Sequence, residues 1–202
     1  MRYWSKRVST GRRVVQDDWL LGGDRRSAAA ERIYAAATEL IARDGLDAFN
    51  IDTLAARVHC SRATIYRHVG GKAEIRDAVL TRAAAGIVET VRRAVEGSSG
   101  ADRIGTAITV ALREIRAHPL RRSMMAALRS GEGMAWLTGS PIVARFAVDL
   151  NGLTEDDTDA AQWIVRVVLS LLCWPIEDAE CEQRMLQRFV LPAFAATPAP
   201  AQ

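Results

Sequence analysis

The chain has 202 residues, 49% of them hydrophobic and 25% charged, with a formal net charge of +3, a size that allows one to two domains around a sizeable core. No stretch of 18 apolar residues occurs, the cysteines are only Cys60, Cys173 and Cys181, and no apolar run follows the scattered basic residues Arg2, Lys6, Arg7, Arg12 and Arg13. These features argue against a membrane span, a disulfide framework and a secretory signal, and they fit a reduced cytoplasm.

The first 23 residues have no helical period and read as a flexible basic arm. From there the apolar pattern is helical almost throughout, with no strand-like alternation. A first helix is expected from Asp24 or Ser27, both good N-caps, with Ile33, Ala36, Ala37, Leu40 and Ile41 on one face and a stop at Asp44-Gly45. A short second helix follows Asn50 and carries Ile51, Leu54, Ala55 and Val58. After His59-Cys60-Ser61 comes a short third helix, from about Arg62 to His68, ended by Gly70-Gly71.

A long fourth helix is expected over 72–96 and a fifth over 102–117, ended by His118-Pro119. A sixth is expected over 120–130. Ser140-Pro141 opens a seventh, with Ile142, Val143, Phe146 and Leu150 on its apolar face. An eighth starts in the acidic run at Glu155 and extends to Trp174, where Pro175 ends it. A ninth covers 178–194. The tail 197–202 is Ala/Pro-rich and reads as disordered. The sum is an all-α chain of about nine helices.

The charge is unevenly placed. Residues 1–82 hold 15 Lys/Arg and 10 Asp/Glu, whereas residues 83–202 hold 12 and 14. A basic front half beside a mildly acidic back half suggests a polyanionic partner for the front. Residues 50–75 carry the motif that gives this substance: two short helices joined by a tight turn, a helix-turn-helix. Ile51, Leu54, Ala55 and Val58 would pin its first helix, Ala55 being small enough for close approach. Ser61 would cap its second helix, with Ile65 and Val69 turned inward. Arg62, Ala63, Thr64, Tyr66, Arg67 and His68 are left for solvent or DNA.

This stretch resembles the DNA-binding domain of the TetR family. Leu54-Ala55, Ser61, Thr64-Ile65-Tyr66, His68 and Lys72 stand at the family's spacing. Asn50, His59, Val69 and Gly71 depart from it, standing where Thr, Gly, Phe and Ser are usual; His tolerates the left-handed conformation better than most residues. The resemblance implies a helix-turn-helix domain over 24–71, followed over 72–196 by a larger helical domain that binds a ligand and dimerises.

It further implies that residues 62–68 enter the major groove. Arg62 and Arg67 would read base edges or phosphates. Thr64, Tyr66 and His68 would position phosphates, and Lys72 would meet the DNA backbone. Asn50, Thr53, Ser61 and Ala63 complete the expected DNA-binding set.

For the back domain the expected partners are an unidentified small-molecule effector and a second copy of the chain. Candidate effector-binding residues are Arg116, Met124, Met125, Leu128, Trp136, Phe146 and Trp163, of a kind suited to an adaptable apolar pocket with one polar anchor. Ordinary core packing is the competing reading for each. Candidate dimer-interface residues are Ile164, Val167, Val168, Leu171, Trp174, Met185 and Phe189. Gly70 and Gly71 are candidate hinges between the domains.

No phosphate loop, metal-ligand spacing or catalytic constellation accompanies these features, so neither a cofactor nor an enzymatic activity is expected. The function expected is a dimeric repressor that binds a palindromic operator in double-stranded DNA and is released by a small apolar ligand. The alternatives are an activator of the same family, a small-molecule carrier or a helical enzyme.

Overall fold

The computed structural model describes residues 18–129, 148 and 158–195. The arm up to residue 17, the expected seventh helix with Trp136 and Phe146, the acidic start of the eighth helix and the tail 197–202 lie outside the described residues. Within them the order is α1 (Asp18–Ala48), α2 (Ile51–Val58), α3 (Arg62–Val69), α4 (Lys72–Ala94), α5 (Gly100–Ala117), α6 (Arg121–Arg129), α7 (Thr158–Cys173), α8 (Ala179–Met185), a π-helical turn (Leu186–Val190) and α9 (Pro192–Ala195). No strand occurs among the described residues.

Two elements differ from the sequence-based expectation. Helix α1 begins at Asp18 rather than near Asp24 or Ser27 and runs through Gly22-Gly23. A helical glycine costs about 1 kcal/mol relative to alanine, which weakens a helix without ending it. The expected stop at Asp44-Gly45 is real: Gly45 leaves the helical region with φ 86° and ψ 169°. The expected ninth helix keeps helical backbone but widens over Leu186–Val190, where the Leu191 N–H donates to the Leu186 carbonyl at 3.0 Å in a π turn just before Pro192, which has no N–H to add to the ladder.

The first four helices share one front core. Ile33, Ala37, Leu40 and Ile41 of α1 meet Ile51, Leu54 and Ala55 of α2, Ile65 and Val69 of α3, and Ile75 and Val79 of α4. These are the apolar positions that the helical period marked, and full burial of each Leu or Ile contributes about 1.5–3 kcal/mol. Two further residues complete this core. Phe49 precedes the N-cap of α2 and shares the core with Leu54, the pairing of a hydrophobic staple. Leu120, at the corner between α5 and α6, is buried in the front core with Met124 packed against it.

Helix α5 divides its apolar positions between two neighbours. Ile104, Ile108 and Leu112 join Ile164 and Leu172 of α7, Leu186 and Val190 of the π turn, and Phe194 of α9. Ala107 and Val110 pack instead on Val91 and Val95 of α4. Among the described residues, α4 and the start of α6 tie the back half to the front.

Candidate nucleic-acid interface

The turn between α2 and α3 is held by local hydrogen bonds that its sequence dictates. Asn50 is extended, and its Oδ1 accepts from the Thr53 N–H at 2.8 Å, capping α2. At the other end His59 takes the left-handed conformation, φ 54° and ψ 47°, the only non-glycine residue with positive φ among the described residues. The His59 N–H donates to the Ala56 carbonyl at 3.4 Å and the Cys60 N–H to the Ala55 carbonyl at 3.1 Å, closing the helix C-terminus.

Ser61 then caps α3. Its Oγ accepts from the Thr64 N–H at 3.1 Å and lies 2.9 Å from the Thr64 hydroxyl. Ile65 is completely buried and Val69 nearly so. Because these two fix the inner face of α3, the opposite face is presented outward: Arg62, Ala63, Tyr66 and Arg67 are exposed, with Thr64 and His68 half-buried at its margins.

Several of these groups already have protein partners. Arg62 Nη1 lies 3.2 Å from Asp52 Oδ1 on α2, in an exposed ion pair that ties the start of α3 to α2. Such a pair is weak and can be exchanged for a phosphate or a base edge. Lys72 donates from Nζ to the Asp47 carbonyl at 3.2 Å, which binds the start of α4 to the end of α1 and leaves two ammonium hydrogens outward. His68 has a buried Nδ1 with no hydrogen-bond partner among the described residues.

Space is tight at Gly71, where a larger residue would push Tyr66 or Glu74 aside by a few tenths of an ångström. A Cβ there would stand 3.3 Å from the Tyr66 ring and 3.2 Å from Glu74 Oε2, the group that accepts the Gly71 N–H. Behind this face an exposed ion pair joins α4 to α1. Arg82 donates to both carboxylate oxygens of Glu31, at 2.5 and 2.6 Å, and its guanidinium lies 4.2 Å above the Tyr34 ring. That bond holds the Glu31 carboxyl below its ordinary value.

The candidate effector residues do not converge among the described residues. Met124 packs on the front core, Met125 on the back core, and Leu128 is buried. Trp163 is 48% exposed. Arg116 forms a two-pronged ion pair with the buried Glu182 at 2.9 and 2.7 Å and also donates to the Leu171 carbonyl at 3.1 Å. Glu182 holds Arg116 even more firmly in its charged form. Arg116 therefore joins α5, α7 and α8, a structural partnership with no counterpart in local sequence.

Of the candidate interface residues, Ile164 is buried in its own chain, and Val167, Val168 and Leu171 are half-buried against the same core. Trp174, Met185 and Phe189 stand outside, at 76, 44 and 67% exposure. Open grooves beside them are lined by Cys181, Arg184 and Phe189, and between α5 and the π turn by Thr106, Thr109 and Gln187. No helix among the described residues is long and apolar enough to cross a membrane.

A family model described as bacterial regulatory proteins, tetR family, matches residues 33–79, which span the front core and α3. An HTH-type transcriptional regulator of Mycobacterium tuberculosis is 31% identical over 190 residues, covering 91% of this chain and 93% of that one. The DNA-binding transcriptional repressor TetR of Mycobacteroides abscessus is 45% identical over 58 residues, 29% of either chain.

Two solved structures share the fold. The TetR family repressor AlkX from Dietzia sp., implicated in biodegradation of n-alkanes, has a TM-score of 0.55 at 19% identity and covers 80% of this chain and 92% of its own. The transcriptional repressor QsdR of R. erythropolis has a TM-score of 0.55 at 20% identity, covering 86% and 98%. All four are named as transcriptional regulators or repressors. The protein described here belongs to the TetR family of bacterial transcriptional regulators.

Proposed function

We propose that this regulator is a cytoplasmic repressor that binds a palindromic operator as a homodimer and leaves it when a small apolar ligand occupies the back domain. The observation that carries the reading is the capped α3, whose buried Ile65 and Val69 leave Arg62, Tyr66 and Arg67 on one outward face. An arginine fork matches the acceptor pair on a guanine edge, and the Thr64 and Tyr66 hydroxyls and the His68 imidazole suit phosphate oxygens. Asn50, Thr53 and Lys72 flank this face and extend it along the DNA backbone.

The homodimer is supported by Trp174, Met185 and Phe189, large apolar groups left outside on the C-terminal helices. Paired there, two chains would set their α3 helices on half-sites about 34–36 Å apart or a multiple of it. Release requires the ligand to favour the state that does not bind DNA.

The test is fluorescence anisotropy with labelled DNA from upstream of the protein's own gene, beside scrambled DNA, at several salt concentrations, with sedimentation of the same samples. Selective, salt-weakened binding by a dimer is the expected result. Equal binding to both DNAs, or a monomer bound to the selected site, contradicts the reading. A panel of small apolar compounds added to the complex then tests release.

A further inference from the structure

One carboxylate stands among the basic residues of the helix-turn-helix. Over residues 50–72 the basic side chains are Arg57, Arg62, Arg67 and Lys72 with His59 and His68, and Asp52 is the single acidic one, in a stretch proposed to meet a polyanion. Asp52 lies exposed in the first turn of α2, and its Oδ1 is 3.2 Å from Nη1 of Arg62, the first residue of α3. A helix-turn-helix meets base edges with the N-terminal residues of its second helix, so this carboxylate stands at the entrance of the proposed reading face. Its structural uses are small. Asn50 Oδ1 already caps α2, an acid in the first turn adds only a weak dipole interaction, and an exposed ion pair adds little more. The other arginine of α2, Arg57, is paired elsewhere, with Glu39 of α1 at 2.6 Å.

The geometry of the pair discriminates between two kinds of DNA contact. Asp52 meets Arg62 through Nη1, which leaves the side formed by Nε and Nη2 to match the N7 and O6 acceptors of a guanine. A base contact is therefore compatible with the tie. A phosphate approaching Arg62 must instead share the guanidinium with a carboxylate of its own sign, and it does so on DNA of any sequence. We propose that Asp52 is a specificity-determining residue: it positions Arg62 for a base edge and weakens backbone contacts that carry no sequence information.

This rests on the proposed operator binding and deepens it. The test is anisotropy of the full chain, as wild type, Asp52→Asn and Asp52→Glu, on the selected upstream DNA and on scrambled DNA at several salt concentrations, with folding checked by circular dichroism. Asp52→Asn should tighten binding to scrambled DNA about fivefold, the effect of one close like charge in water, while affinity for the selected DNA stays within about twofold. Its salt dependence on scrambled DNA should steepen by about one in log–log slope, as one more phosphate is neutralised. Asp52→Glu, which keeps the charge, should keep the wild-type slope. Equal changes on both DNAs, an unchanged selectivity and slope in Asp52→Asn, the same behaviour in Asp52→Glu, or a loss on both DNAs in proportion to unfolding overturns the proposal. A wild type that binds neither DNA sinks the DNA-binding reading and this inference with it. A selective wild type whose selectivity and slope survive Asp52→Asn sinks the inference alone.

Discussion

The front and back halves bury their apolar residues in different ways. In the front, thirteen residues from four helices, the α1–α2 link and the α5–α6 corner converge on one core, and the polar positions between them are caps or surface. In the back, α5 serves two separate clusters, a partly buried ion pair joins it to α8, and Trp174 and Phe189 remain mostly exposed. A half that closes on itself can hold a rigid reading surface. The large aromatics left outside in the back half are the surface on which the proposed homodimer rests.

The contrast can be broken by substitution. Leu54→Ala, at a completely buried position in the front core, should lower stability by about 3 kcal/mol and abolish DNA binding in proportion to unfolding. Urea unfolding followed by circular dichroism measures it; a loss below about 1 kcal/mol would mean that the front core is loosely packed. In the back, Glu182→Ala leaves Arg116 without its carboxylate, and a loss of about 2 kcal/mol is expected, between the values for buried and exposed pairs. An unchanged midpoint would show that the pair contributes nothing.

Smaller effects refine the picture. Ser61→Ala removes the cap of α3 and should lower stability by about 1 kcal/mol. Its imprint should be a faster exchange of the Thr64 amide, with the back half unaffected. The Glu31–Arg82 pair should show itself only through pH. Folding lowers the Glu31 pKa from about 4.5, so the stabilisation is complete above that value and is lost as pH falls through the lower folded value. The stability difference between wild type and Glu31→Gln should therefore be steady near neutral pH and shrink below about 4.5. A difference that persists in acid would point to another cause.

The features legible in the sequence are the local ones. The Asn50 and Ser61 caps, the left-handed His59, the stop at Gly45 and the inward positions of α1 to α3 all depend on neighbours within a turn or two, and each was readable from residue type and spacing. Phe49 carries a local signal as well, its place just before an N-cap, though not one that the helical period marks. Leu120 and the Arg116–Glu182 pair had none, because their partners lie far away in the chain. The same holds for Ile164: an apolar residue on a C-terminal helix has the same pattern whether it faces its own core or a second copy.

The central claim is that the outward face of α3 reads DNA. The most direct test compares wild type with Arg62→Ala and Arg67→Ala by anisotropy on the selected upstream DNA and on scrambled DNA, with folding checked by circular dichroism. Each variant should lose about 1–3 kcal/mol of affinity for the selected site if its arginine reads a base, with a smaller loss on scrambled DNA. Unchanged affinity for the selected site in both folded variants would contradict the account.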